Sequence, residues 1–192
     1  MRTICVFCGS ADRVHPDYLV AARQMGAAIS QRGMRLLYGA GGTGLMGAVA
    51  DGSLDVGGEV YGIIPTLFNT PVLVHNGLTH LEIVENMHTR KQRMFELSDA
   101  FIALPGGYGT FEEFFEMLTW AQIGLHTKPM GLLNTRNYYT PMIRLIEQAQ
   151  AEGFIYDIHR TLFCIGDTPE ELLGALMDYQ PPQGLQRWLK RD

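Results

Sequence analysis

The sequence predicts a doubly wound α/β fold, with a mainly parallel sheet and helices on both faces. Three observations carry the prediction. Short apolar, β-prone runs alternate with helix-length amphipathic runs along the chain. Two glycine-rich clusters, at 39–47 and 105–110, each sit between a strand-like run and a helix-like run. No repeat, low-complexity tract or linker divides the 192 residues, which suit one Rossmann-like domain over 1–192 with volume for a real core.

Taken in order, the first strand is expected at 2–7, where Ile4, Val6 and Phe7 are β-prone, ending in the small-residue turn Cys8, Gly9, Ser10. A helix follows at 18–31, with Pro16 and Asp17 near its start and Gly33 past its end. Strands are expected at 34–38 and 59–64, on either side of the first glycine cluster and its helix. Residues 66–76, with Pro71, read as irregular chain lying over the site or at an interface. A short strand at 78–84 leads to a helix at 87–97, for which Asn86 is the expected cap. The run 100–104 reads as a buried strand and 114–120 as an amphipathic helix. Further strands are expected at 130–133 and 162–165, with a helix at 139–151 between them. Thr168 and Pro169 are the expected cap and first residue of a last helix. The tail, with Pro181, Pro182, Arg187, Trp188, Leu189 and Lys190, is expected to dock or fray.

Composition removes several classes of function. Hydrophobic residues at 46% and charged residues at 18% are those of a globular soluble chain. A net charge of −5 argues against a general nucleic-acid or anionic-membrane binder. No stretch is long and apolar enough to cross a bilayer, and the N-terminus runs into a strand without a signal-peptide pattern. Three cysteines are too few and too odd for a disulfide framework, so a reducing cytoplasm is expected. Cys5 and Cys8 form C-x-x-C, but positions three apart on a strand face opposite sides, so small buried residues are expected and no metal.

The most informative stretch is Pro105-Gly106-Gly107-Tyr108-Gly109-Thr110-Phe111-Glu112-Glu113. A glycine-rich turn opening a helix presents unpaired amides and the positive end of the helix dipole, which together seat an anion, most often phosphate. Thr110 adds a hydroxyl, and Glu113 sets a carboxylate beside the seat. A carboxylate repels bound phosphate, so its presence points to acid, base or cation-stabilising chemistry on a phosphorylated molecule. A tight connection with a dipole-complementing glutamate remains the bland alternative. The 42–47 cluster satisfies G-x-G-x-x-G, but it follows the second strand, and strand 59–64 ends in Pro65 without an acidic residue for a ribose hydroxyl. Two loops enclosing one small phosphorylated ligand fit better than a dinucleotide site, with close helix–strand packing as the alternative. On the 87–97 helix, Met87, Arg90, Lys91 and Met94 share one face, an unusual pair of cations between methionines, or else a solvated basic edge.

Pro-Gly-Gly-x-Gly-Thr-x-x-Glu resembles the signature of the Lonely Guy family of cytokinin riboside 5'-monophosphate phosphoribohydrolases, formerly called lysine decarboxylases. Cys5-Val6-Phe7-Cys8-Gly9-Ser10, Gly42-Thr43-Gly44-Leu45-Met46-Gly47 and Met87-His88-Thr89-Arg90-Lys91 extend the resemblance over nearly the whole chain. It implies hydrolysis of the N-glycosidic bond of adenosine 5'-monophosphate or its N6-substituted forms, without a cofactor, by a homodimer with sites near its interface. It implies Arg90 and Glu113 as the essential residues, and substrate contacts from Met87, Lys91, Gly107, Tyr108, Gly109, Thr110 and Glu112, with Thr119 a weaker candidate. Ser10, Gly42, Thr43 and Gly106 complete the expected substrate-binding set at the carboxyl edge of the sheet.

Physical chemistry agrees with those roles. Breaking the glycosidic bond leaves positive charge on the sugar, which a carboxylate at Glu113 stabilises, or whose attacking water it activates. Arginine is a poor proton donor, so Arg90 does electrostatic work. One departure bears on substrate range: many relatives carry an acidic residue before the Arg-Lys helix, whereas 69–77 here holds no carboxylate. A pyridoxal decarboxylase needs a Schiff-base lysine, and none of Lys91, Lys128 and Lys190 sits in a convincing pyridoxal site. The rival expectation is a non-catalytic carrier of molybdenum cofactor, a phosphate ligand that needs no Glu113.

Overall fold

The computed structural model describes residues 1–185, so the expected docking of Arg187–Lys190 lies outside the described residues. Among the described residues there are seven strands and six α-helices, alternating except where the fourth strand follows the third without an intervening α-helix. They are β1 (Thr3–Phe7), α1 (Pro16–Gln31), β2 (Arg35–Tyr38), α2 (Gly44–Asp55), β3 (Val60–Pro65), β4 (His80–Val84) and α3 (Met87–Leu97). Then come β5 (Ala100–Ala103), α4 (Tyr108–Gln122), β6 (Met130–Leu133), α5 (Thr140–Ala151), β7 (Cys164–Gly166) and α6 (Pro169–Met177). The strand order is β4-β3-β2-β1-β5-β6-β7, and every pairing is parallel.

That order has one consequence for function. The chain winds outward from β1 to β4, then returns to place β5 on the free side of β1. The winding direction reverses between β1 and β5, and the loops leaving their carboxyl ends diverge to opposite faces. A crevice must open there. The turn after β1 is Cys8–Ser10 and the turn after β5 is Leu104–Gly107.

Alternation along the central strands divides the core in two. Ile4 and Val6 of β1 face one layer with Met25, Ile29 and Leu172, while Cys5 and Phe7 face the other with Met94, Phe114 and Met117. Leu36 and Tyr38 point to the first layer, and Phe101 and Ala103 to the second. Side chains buried on both faces are what a parallel sheet covered by helices requires.

Several boundaries shift from the sequence reading, each for a local reason. Helix α1 begins at Pro16 because a proline is preorganised for the first helical position and His15 caps it, its Nδ1 accepting from the Asp17 amide at 3.3 Å. Helix α4 begins at Tyr108, well before the apolar run of 114–120, so Thr110 and Glu113 are helical residues. The last strand starts at Cys164 because 157–161 form a short 3-10 turn that delivers Leu162 to the core. The caps at Asn86 and Thr168 form as expected, the latter as a full capping box with Glu171.

Candidate active site

A pocket of about 270 Å³ occupies the crevice between β1 and β5. Its walls come from four segments: Cys8–Ser10 after β1, Gly39 and Met46 around the start of α2, Met87, Arg90 and Met94 on α3, and Gly107–Glu113 on the turn into α4. A larger cleft of about 630 Å³ lies between α1 and α6, but Asp17, Asp167 and Glu170 line it, the wrong sign for a phosphate.

Backbone hydrogen bonds join the three turns at the pocket floor. Gly9 donates to the Pro105 carbonyl at 3.1 Å, and its own carbonyl accepts from Leu45 and Met46 at 2.9 and 3.2 Å. The amides of Tyr108, Gly109 and Thr110 open α4 with no intrahelical partner. Thr110 is buried under the turn: a side chain at Gly106 would bring its first carbon within 2.1 Å of the Thr110 hydroxyl.

Arg90 crosses the pocket from α3. Its Nε donates to the Ile63 carbonyl at 3.1 Å, and its Nη1 stands 3.4 Å from Glu113 Oε1. The guanidinium lies directly over the backbone of Gly39, where any side chain would meet Nη2 at 1.8 Å. So the glycine after β2 makes room for the arginine rather than for a ligand. Both members of the pair are largely removed from water, with side chains 13% and 9% exposed. Burial raises the Glu113 carboxyl above the usual glutamate range, although Arg90 opposes the shift. Burial likewise pushes the Cys8 thiol well up, so it stays protonated and is no nucleophile.

The four residues sharing a face of α3 do not all reach the pocket. Met87, Arg90 and Met94 line it, whereas Lys91 turns toward α4 and pairs with Glu112 and with Glu116, the latter at 3.1 Å. Burial alone would lower its pKa, but the two carboxylates outweigh burial and hold the ammonium above its usual value. Lys128 is likewise occupied, its ammonium donating to the Phe95 carbonyl and lying 4.0 Å over the Phe95 ring, and Lys190 is outside the described residues. Among the described residues, no three His, Cys, Asp or Glu side chains converge as a metal site.

The other expected substrate contacts are spread out. Ser10, Gly107, Gly109, Thr110 and Glu112 line the pocket. Gly106 lies beneath it, packed on Gly9 and Thr110. Tyr108 is 94% exposed. Thr119 sits on the exposed side of α4, its hydroxyl bonded to the Phe115 carbonyl at 2.7 Å. Gly42 and Thr43 do not line the pocket: Gly42 donates to the Leu73 carbonyl at 2.8 Å and the Thr43 hydroxyl to the Ser10 carbonyl at 2.8 Å. The segment after β3 is docked on this first loop through His75 N–H to the Ala40 carbonyl, and on α2 through His75 Nε2 to Asp51 Oδ1 at 3.0 Å, and none of its residues lines the pocket. Sequence reasoning set the 39–47 loop beside the ligand but gave Gly39 and Met46 no role of their own, because nothing local marks a glycine or methionine as the surface against which a distant arginine packs.

A sequence-family model described as "Possible lysine decarboxylase" matches residues 46–176. The cytokinin riboside 5'-monophosphate phosphoribohydrolase of Rhodococcoides fascians is 47% identical over 176 residues, 91% of this chain and 89% of that protein. The enzyme of the same name, LOG3, from Arabidopsis thaliana is 44% identical over 180 residues, 94% of this chain and 84% of that one. Among solved structures, the molybdenum cofactor binding protein of Rippkaea orientalis superposes with a TM-score of 0.70 at 21% identity, over 92% of this chain and 96% of that one. The molybdenum cofactor carrier protein of Chlamydomonas reinhardtii gives 0.71 at 19% identity over the same shares. At such identities the likeness is one of fold. By the family model and by its sequence relatives, the chain belongs to the Lonely Guy family, the phosphoribohydrolase group whose model still carries the decarboxylase description.

Proposed function

We propose that the protein hydrolyses the N-glycosidic bond of adenosine 5'-monophosphate or an N6-substituted form of it, releasing the free base and ribose 5-phosphate. The observation that carries this reading is the buried Arg90–Glu113 pair at 3.4 Å, on the wall of a pocket whose other side is the amino end of α4. With the phosphate on the first amides of α4, the sugar reaches the carboxylate of Glu113, one turn further along that helix. As the bond from C1' to the base breaks, its electron pair leaves with the base and positive charge grows on the sugar. Glu113 stabilises that charge and accepts a proton from the attacking water, whose oxygen bonds to C1', while the departing base takes up one proton from solvent. Arg90 holds Glu113 in place and supplies positive potential to the phosphate or the departing base. The methionines Met46, Met87 and Met94 give the rest of the pocket an apolar, adaptable wall suited to a flat base. A carrier of molybdenum cofactor has no use for a carboxylate in that position, where it repels the phosphate it would carry.

The protein is further proposed to act in the cytoplasm as a homodimer. Leu67, Val72 and Tyr108, exposed by 79, 84 and 94%, stand at the sheet edge that bears the pocket and support a covering partner there. Sedimentation of the purified chain at monomer mass would remove that part.

The deciding experiment is base release from AMP and from adenosine by purified protein. Binding energy from the non-reacting phosphate orients the sugar, so AMP is turned over and adenosine very poorly. Equal rates on both would remove the phosphate seat, and no base release from any nucleoside monophosphate would remove the hydrolase reading.

A further inference from the structure

We infer that Tyr138 is a positioning residue for the anion seat: its hydroxyl holds the Gly106 carbonyl and thereby aims the Gly107 N–H into the pocket. The inference rests on the phosphate-seat reading above and goes beyond it to how the seat is kept in its binding form.

The Gly106–Gly107 peptide is the softest in the turn, with a glycine on each side of it. A flip of that one plane would exchange a donor for a carbonyl oxygen at the place where an anion must sit. In a trans peptide the C=O and N–H point in opposite directions, so fixing one fixes the other. The Tyr138 hydroxyl donates to the Gly106 carbonyl oxygen. Gly107 lines the pocket and Tyr138 does not. The carbonyl is therefore drawn to the side away from the pocket, and the Gly107 N–H is left facing it. The adjacent carbonyl is drawn off too, since Pro105 accepts from Gly9 at 3.1 Å.

The ring of Tyr138 is unusually well aimed. It stacks on Phe111 with centroids 6.4 Å apart at 22°, and meets Tyr18 and Tyr139 edge-on at 5.8 and 5.1 Å. The connection that delivers it holds two successive non-glycine residues in the left-handed region, Arg136 at φ 55° and Asn137 at φ 59°. Such conformations persist only where the surroundings over-determine them. Here Arg136 is tied to Asp17 at 2.8 Å, and the Asn134 side chain accepts from the Tyr139 amide at 2.8 Å. Burial raises the Tyr138 phenol, which keeps it a donor.

Tyr139 provides an internal control. Its hydroxyl donates to the Leu104 carbonyl at 2.6 Å, the same chemistry one residue along. But the Leu104 carbonyl belongs to the peptide that precedes Pro105, which has no N–H to aim.

The test compares wild type, Tyr138→Phe and Tyr139→Phe by calorimetric affinity for ribose 5-phosphate, steady-state base release from AMP, and thermal unfolding. Loss of one donor to an anion predicts that Tyr138→Phe weakens ribose 5-phosphate binding roughly ten- to hundredfold. The KM for AMP should rise by a similar factor, with kcat changed less than about threefold. Tyr139→Phe should lower the unfolding midpoint and leave that affinity within about threefold. Unchanged affinity in Tyr138→Phe, or equal losses in both variants, overturns the inference while leaving the seat in place. Wild type that binds neither ribose 5-phosphate nor AMP removes the seat and the inference together. Should Tyr138→Phe not fold, the wild type still decides: with ¹⁵N-glycine labelling, ribose 5-phosphate should shift the Gly107 amide strongly, and a Gly107 amide that does not respond refutes its place in the seat.

Discussion

Two glycine-rich loops leave β2 and β5, the strands on either side of β1 in one parallel sheet, and open two helices, yet they do different work. The loop at 105–110 presents helix-opening amides to the pocket, buries Thr110 beneath them, and carries Glu113 onto the pocket wall. The loop at 39–47 contributes only Gly39 and Met46 to that pocket, and Gly39 is there as the surface on which Arg90 lies. Gly41 makes room for the Met46 side chain, and the other glycines of the loop pack against backbone. Gly44 sits at φ 58° against the Ser10–Ala11 backbone, and a side chain at Gly47 would strike the Gly42 carbonyl at 2.5 Å. One loop and its helix form a wall of the pocket, and the other supports the arginine and the segment after β3. Similar composition at similar topology is therefore a poor guide to role; the deciding feature is which side chains other elements bring to the loop.

The sharpest way to break this comparison is Glu113→Gln. If the chemistry belongs to the second loop and its helix, turnover falls by roughly 10³-fold or more, since the charge that meets the growing cation is gone. Stability should not fall with it. A carboxyl whose folded pKa is raised binds more protons folded than unfolded, so its ionisation costs stability as pH rises from the ordinary glutamate value through the raised one. At neutral pH the glutamine removes that cost. The expected result is an inactive protein with an equal or higher unfolding midpoint, and a clear drop in midpoint would contradict it. The same shift predicts that the acid limb of wild-type kcat/KM lies above the usual glutamate range, because the ionised form is the active one; a limb at ordinary glutamate pKa would exclude Glu113 as its source.

Next in size is Arg90→Lys. Lysine keeps the charge but loses the planar fork that spans Ile63 and Glu113. We expect a loss of roughly 10²–10³ in kcat. A change in KM alone would make Arg90 a ground-state anchor.

A matched pair of alanines compares the loops directly. At Gly106 the new carbon meets Thr110 Oγ1 at 2.1 Å and the Gly9 amide nitrogen at 2.8 Å, whereas at Gly42 its nearest neighbour is the His75 Cα at 3.3 Å. Gly106→Ala should cost about 1–3 kcal/mol of stability by overpacking. Gly42→Ala should stay within about 1 kcal/mol and leave base release nearly unchanged. Denaturant unfolding measures both, and a reversed order would refute the division of roles.

The smallest effect is expected from Thr119→Ala. Its hydroxyl is spent on the Phe115 carbonyl and Thr119 is not among the residues lining the pocket, so activity should stay within about threefold. A tenfold loss would place Thr119 at a substrate contact that a single chain does not make, and would favour a site completed by a second copy.

Much of this architecture was legible in the sequence, because it rests on local rules. Alternating apolar runs set seven parallel strands and their helices, with the capping residues Asn86 and Thr168 at their expected places. The unpaired amides that open α4 were legible as well, since they follow from chain connectivity alone. What only the tertiary structure decided were relations between segments far apart in the chain. Strand order alone opens the crevice between β1 and β5, and no local pattern reports it. Arg90 and Lys91 are adjacent on one helix, and their chemistry diverges because α4 offers Glu113 to the first and Glu112 and Glu116 to the second. Tyr138 matters to a turn 32 residues earlier, through one hydroxyl. Local sequence fixes backbone propensity and the supply of functional groups, whereas burial, pairing and the pKa of Glu113 depend on which surfaces meet when the sheet closes.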